Sequence, residues 1–455
     1  MRRHASKDHA IRMTEGPIAR QLIAFAFPLL LGNLFQQFYN AADSLIVGNI
    51  LGSDALAAVS SSGSLIQLLI GFFNGLAMGA GVVISRHYGA RDIPRVQKTI
   101  HTLLAGGLVV GSFLTVFGAV LSPVLLRLMG TPESVLPQSI AYFRTYFFGS
   151  LAFVMYNICM GILQAVGDSR HPLYYLIISS VINVALDLFF VGTLNLGVAS
   201  AAAATAISQM VSMLLCLRRL MASNEDYRVN LRKLSFNRPA LRAILANGVP
   251  SGIANCIISF ANVVVQSNIN AFGAAAMAGC GAHTRIEGFA FLPIMCFNMA
   301  LTTFVSQNLG AGRTDRVKKG MRIGLLFCAG IAETIALLIW LLSPNLIRLF
   351  VSDAEAIAYG VMHERTTMPF FFLAAYTHSI AASLRGAGKA SISMLGMVIC
   401  WCVLRVPYVT IATQLRPVLT TVSWTYPLTW LLSSIFFTVY SLKADWMHQK
   451  TPARL

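Results

Sequence analysis

At 455 residues the chain would suggest about three soluble domains, yet 56% of its residues are hydrophobic and only 11% are charged, against about 25% charged in a soluble domain. With a mean hydropathy of +0.68, so few charges cannot cover a soluble surface. A cytosolic enzyme, a disordered scaffold and a nucleic-acid module are excluded, which leaves a polytopic membrane protein. The 34 Lys and Arg outnumber the 17 Asp and Glu, and in a membrane chain such an excess marks cytoplasmic loops.

Residues 1–20 are polar and basic and read as a cytoplasmic tail. The long apolar run that follows lacks the short core and small-residue cleavage site of a signal peptide, so it reads as a first span. A helix needs about 20 mostly apolar residues to cross a bilayer. Such runs fall at 21–43, 55–84, 100–122, 141–164, 172–193 and 197–217, a first six-helix lobe over 21–217. The stretch 218–242 carries seven basic residues with Glu225 and Asp226 and reads as a cytoplasmic linker. Further runs at 243–270, 276–306, 321–342, 366–384, 391–412 and 418–441 form a second lobe over 243–441, followed by a cytoplasmic tail over 442–455. The expected fold is therefore all-α, with about twelve transmembrane helices. These runs are too long for barrel strands, and lipid forbids open sheet edges.

With the N-terminus inside, 27 of the 34 basic residues fall on the cytoplasmic side and five on the external side, leaving Arg285 and Arg405 within spans. This asymmetry supports an N-in, C-in topology and removes the need for a nucleic-acid partner. All eight cysteines lie in apolar runs without a C-x-x-C pair. They read as buried, unreactive thiols rather than metal ligands or disulfides.

The chain also repeats itself. The segment VISRHYGARDIPRVQK from Val83 matches FVSQNLGAGRTDRVKK from Phe304, and Gln164–Gly167 matches Arg385–Gly388, both at an offset of 221; Pro28 matches Pro250 at 222. Six helices per repeat is an even number, so both halves enter the membrane from the same side. Parallel repeats of this kind occur in secondary transporters, with the substrate site between the halves.

The run PLLLGNLFQQFYNAADSLIVGNILGSDALAAVS with GAGVVISRHYGA, and in the second half GFAFLPIMCFNMALTTFVSQNLGAGR, resembles the multidrug and toxic compound extrusion (MATE) family from about residue 14 to about residue 440. The resemblance implies two six-helix lobes forming a V around a central cavity. It implies export of amphipathic, often cationic, organic compounds driven by inward flow of protons or sodium ions, in the cell membrane. Such a protein would be a monomer with no cofactor beyond the coupling ion, no other metal and no enzymatic activity.

Ionisable groups inside spans are costly, about 2.5 to 3.5 kcal/mol on insertion scales, and so are functional candidates. The acids assigned to spans are Asp43, Asp187, Glu287 and Glu333. In the first span Asn33, Gln36, Asn40 and Asp43 share one helical face, and in the fifth Asn183 and Asp187 do so. Thr205 and Gln209 share a face of the sixth. The resemblance brings Asp43, Asn183, Asp187 and Thr205 together in the first lobe, and it links Pro28 and Asp43 to bending of the first helix. Two carboxylates, an amide oxygen and a hydroxyl are hard ligands for a small cation, and the same pair could instead take up a proton. Adding 221 to the four positions gives Val264, Leu404, Tyr408 and Tyr426, none an acid, so ion coupling is expected in the first lobe alone. Some family members carry acids in helices 7 and 10; none is assigned to either helix here.

Gln36, Tyr39, Asn40, Asn157, Glu287 and His378 are expected to line the substrate cavity, with Asn157 and His378 related by the repeat. Glu333 stands alone. A flippase or exporter of a lipid-linked or other anionic metabolite is the alternative. Two basic residues in spans against Asp43 and Asp187 favour cationic compounds. H-E-x-x-H, G-x-S-x-G and P-loop motifs are absent from the sequence, which argues against catalysis and against direct ATP drive.

Overall fold

The computed structural model describes residues 11–223 and 225–447. The outermost residues of both expected tails, 1–10 and 448–455, lie outside the described residues. The long apolar runs fold as helices because a helix alone satisfies every backbone group within one segment. In chain order these are α1 (Ile18–Leu51), α2 (Ser53–Gly89), α3 (Ile93–Leu128), α4 (Leu136–Phe148), α5 (Ser150–Ala165), α6 (Arg170–Asp187) and α7 (Val198–Ala222), then α8 (Arg238–Asn270), α9 (Ala274–Gly310), α10 (Thr314–Arg348), α11 (Ala354–Thr367), α12 (Phe371–Gly386), α13 (Ala390–Val398), α14 (Arg405–Leu415) and α15 (Leu419–Lys443). Among the described residues there is no strand. Nine segments among them are long and apolar enough to cross a membrane, and α4 with α5, bent by 47°, gives a tenth. The pair α11–α12 and the helix α15 occupy the repeat positions of α4–α5 and α7.

The internal repeat is written in the backbone. Gly52 and Gly273, Arg91 and Gly312, and Gly167 and Gly388 all adopt positive φ, each pair 221 apart. Pro123 and Pro344 lie inside α3 and α10 at the same offset. The fifth segment of each repeat is interrupted by a π-helical turn, Leu188–Thr193 after α6 and Ile399–Val403 after α13. Such turns shift the register of the side chains that follow and often mark functional positions.

The chain divides into two compact units. Among the described residues, unit one comprises 11–12 and 27–245, and unit two 13–26 and 246–447. The first helix of each repeat thus begins in one unit and passes into the other just ahead of its proline, Pro28 or Pro250. In unit one, Ile100, Leu104, Cys159, Ile162 and Leu163 pack in one core, and Val47, Leu126, Phe143 and Val191 in another. The segment between α7 and α8 is docked on this unit. Tyr227 and Val229 are buried, and the backbone N–H groups of Asn230 and Asn237 donate to His101 Nε2 (3.2 Å) and Thr102 Oγ1 (3.0 Å). In unit two, Val265, Ile269, Cys280, Val409 and Val422 form a core. There the N-terminal segment is held by Gln307, whose Oε1 accepts from the Met13 N–H (3.1 Å), and by Arg316, which donates to the carbonyls of Glu15 and Gly16. All eight cysteines are free thiols, buried or half-buried.

Candidate functional site

In unit one the polar faces of three helices converge. Asp187 ends α6 immediately before the π-helical turn and is 0% exposed; Asn183, one turn earlier, is buried too. The Asp187 carboxyl lies within hydrogen-bonding reach of the half-buried Asp43 carboxyl on α1. The Asn183 amide joins the pair to α7: its Nδ2 donates to Asp187 Oδ2 (3.2 Å) and its Oδ1 accepts from the Thr205 backbone N–H (3.3 Å). The Thr205 hydroxyl donates to Ala201 O (3.1 Å), which leaves its lone pairs free to accept or to ligate. One oxygen of each carboxyl, Asp43 Oδ1 and Asp187 Oδ1, is buried without a partner. Like charge and desolvation both act against two such carboxyls standing face to face without partners. The structure therefore brings together the four residues singled out from the sequence. It adds Tyr142 of α4, buried within electrostatic range of both acids; the half-buried Tyr39 of α1 lies within the same range.

The residues expected around a substrate fall in both units. Gln36 and Asn40 are exposed on α1, and Tyr39 is half-buried. Asn157, buried on α5, donates from Nδ2 to Phe153 O (2.8 Å) and lines an apolar cavity with Phe73, Leu76, Leu103, Val154 and Ile244; no member of the carboxyl cluster lines it. Pro28 is buried within α1. In unit two His378 meets Phe291 and Trp401 edge-on, with ring centroids 5.0 and 5.2 Å away, and its Nε2 is buried without a partner. Glu333 acts locally, its Oε2 accepting from the Phe372 N–H (2.9 Å) at the start of α12.

Glu287 has company that the sequence pattern did not reveal. Its carboxyl lies 3.8 Å from His283 Nε2, while His283 Nδ1 lies 3.9 Å from Glu364 Oε1. The His283 and His363 rings meet edge-on at 4.4 Å, and His363 Nδ1 bonds the Ser423 hydroxyl at 2.7 Å. Glu364 is 0% exposed, and both its oxygens and both His283 nitrogens lack hydrogen bonds. Two glycines allow this approach of α9 and α11. A Cβ on Gly279 would lie 2.2 Å from Ala356 O, and one on Gly360 would lie 2.8 Å from Gly279 O. Small residues of this kind let membrane helices touch, and each glycine sits one turn ahead of His283 or Glu364. The expectation of no acid in the tenth segment is thus corrected: that segment begins at Ala354 and contains Glu364. The repeat held the missing signal, since the fourth span starts at 141 and the offset of 221 puts its counterpart at 362.

Comparison with known proteins agrees with this architecture. The MatE family model matches twice, over residues 28–189 and 250–411, two stretches of equal length 222 residues apart. A relative in Bacillus subtilis (strain 168), described as the probable multidrug resistance protein YpnP, is 30% identical over 411 residues, covering 88% of this chain and 89% of the relative. A protein of Shewanella oneidensis described as an FAD transporter is 24% identical over 76% of this chain and 77% of its own length. Among solved structures, the outward-facing conformation of a multidrug resistance MATE family transporter of the MOP superfamily superimposes with a TM-score of 0.90 at 23% identity, covering 96% of this chain and 97% of that one.

Proposed function

The chain belongs to the MatE family of multidrug efflux transporters, multi-pass membrane proteins rather than enzymes, and on that premise we propose that it exports amphipathic organic cations in exchange for inward-moving protons or sodium ions. The observation that carries the proposal is the Asp43–Asp187 pair, two carboxyls with orphaned oxygens facing one another between α1 and α6. In the empty state the two negative charges repel and hold α1 under load. A proton or a sodium ion bound between them removes the repulsion and draws α1 toward α6, with Asn183 and Thr205 supplying further oxygens. Pro28 interrupts the backbone ladder of α1, so that helix can answer the change by bending. Cation binding then favours one conformation and substrate the other. By linkage each weakens the other's affinity, and their alternation moves them in opposite directions. The protein works as a monomer in the cell membrane and needs no cofactor beyond the coupling ion.

The test is efflux of a fluorescent cationic dye from proteoliposomes under an imposed proton gradient or an imposed sodium gradient. Export is expected with one of the two and should be abolished in Asp43→Asn; coupled export that survives in that variant overturns the assignment. A second reading, export of an anionic metabolite, has the support of the FAD transporter among the relatives.

A further inference from the structure

In unit two a positive charge stands beside the positions that correspond to the carboxyl cluster: Arg405 follows Leu404, the counterpart of Asn183, and lies three residues before Tyr408, the counterpart of Asp187. Arg405 opens α14 directly after a π-helical turn, as Asp187 closes α6 directly before one. Tyr426, the repeat counterpart of Thr205, lies under the guanidinium, with Cζ 4.5 Å from its ring centroid. Trp401 flanks the group at 5.1 Å. Asn262 of α8 accepts a hydrogen bond from Arg405 Nη1 (3.1 Å). Arg405 is 1% exposed, yet Nε and Nη2 have no hydrogen-bond partner. Those two nitrogens form the side edge of the guanidinium, the fork that matches a carboxylate with two parallel hydrogen bonds.

A buried guanidinium with its fork empty costs several kcal/mol. Glu287 is within electrostatic range of it but makes no ion pair with it and is engaged with His283. Other orphaned nitrogens stand along the same chain of rings: His378 Nε2 beside Trp401, and Trp430 Nε1 beside Tyr426. Arg405 Nε and Nη2 and Trp430 Nε1 can only donate, so the missing partner at the guanidinium is an acceptor. Phe291, His378 and Tyr426 are half-exposed, and the run of rings Phe291–His378–Trp401 meets the buried Arg405 at Trp401, with Tyr426 on the guanidinium.

We propose that Arg405 anchors the carboxylate of an amphipathic aromatic compound, held by the Nε–Nη2 fork and walled by Trp401, Tyr426 and His378. A single guanidinium with a glutamate nearby suits a singly charged carboxylate better than a doubly charged phosphate. The proposal rests on the export reading and extends its cargo from cations to zwitterions, whose cationic end would face the part-exposed Glu287.

The test uses two rhodamines that differ in one group, a free benzoic acid and its methyl ester. Binding to the purified full-length protein in nanodiscs is followed by fluorescence polarisation. Wild type should bind both; Arg405→Gln should weaken the acid about tenfold or more, the worth of a lost charged hydrogen-bond pair, and leave the ester within about twofold. Arg405→Lys keeps the charge without the fork and should fall between. Thermal melting of each variant reads any structural loss separately. Equal loss of both dyes, no loss of the acid, or wild-type binding of the ester alone overturns the proposal. Export of the ester under an imposed gradient by wild type tests the underlying reading independently, since it does not involve the carboxylate.

Discussion

Replacing Asp187 with Asn separates an ion site from a structural hydrogen bond. The side chain keeps its shape and its ability to accept from Asn183 Nδ2 (3.2 Å), and only the charge is lost. Two unit charges roughly 4 Å apart interact by about 4 kcal/mol at an effective dielectric of about 20. Asp43 is half-buried, so solvent screening reduces this to about 2–3 kcal/mol. The figure enters twice with opposite sign. It is the repulsion that the ion-free protein sheds on substitution, and it is the attraction that a bound cation loses, equivalent to roughly 30- to 150-fold in affinity. Wild type should therefore be stabilised by the coupling ion, by about 2.7 kcal/mol when the ion is at a hundred times its dissociation constant. Asp187→Asn should be at least as stable as ion-free wild type, show no ion-dependent gain, and fail to transport. Thermal melting in detergent across sodium concentration and across pH measures all of this. A variant that melts well below ion-free wild type, or one that keeps the full ion-dependent shift, refutes the reasoning.

Other expectations follow from single contacts. Asn183→Ala should raise the half-saturating concentration of the coupling ion about tenfold, the worth of one hydrogen bond to a charged group, with dye export as the readout. Gly167→Ala should destabilise by more than about 2 kcal/mol, since its φ is +94° and the added Cβ would meet Ile11 O at 2.1 Å. Gly52→Ala, with φ +87°, ψ −176° and nothing within 4 Å, should cost only the strain of that glycine-only backbone region, about 1–3 kcal/mol, and less than Gly167→Ala; paired melting curves make the comparison. Glu333→Ala should lose about 1 kcal/mol by freeing the Phe372 N–H. Glu364→Gln, which removes a buried charge without hydrogen bonds, should leave the melting temperature unchanged or raise it.

Much of this was legible in the sequence because charge is scarce. Asp43 and Asp187 stood out as acids on polar helix faces, and faces are a matter of spacing. Their convergence with Asn183 and Thr205 came from resemblance, since no periodicity tells which face of one helix meets which face of another. Glu364 is hidden in the sequence because His363 and Arg365 beside it dilute the apolar signal ahead of residue 366. His283 escaped because it carries no fixed charge, and its significance comes from Gly279 and Gly360 letting α9 and α11 touch. Arg405 was visible as a charge within a span, but its setting is assembled from Asn262, Trp401 and Tyr426 on three separate segments.

The exchange of helix beginnings bears on how such a chain can be divided. A break between α7 and α8 cuts where the two sequence repeats join. The first fragment would nevertheless keep residues 13–26, which belong to unit two, and the second would keep 238–245, which belong to unit one. Neither fragment holds a complete unit, and each carries a strip the other lacks. Separately expressed halves should therefore be poor proteins alone yet reconstitute one another when made together, a reciprocal dependence that would oblige the descendants of a duplicated gene to stay fused or be inherited as a pair.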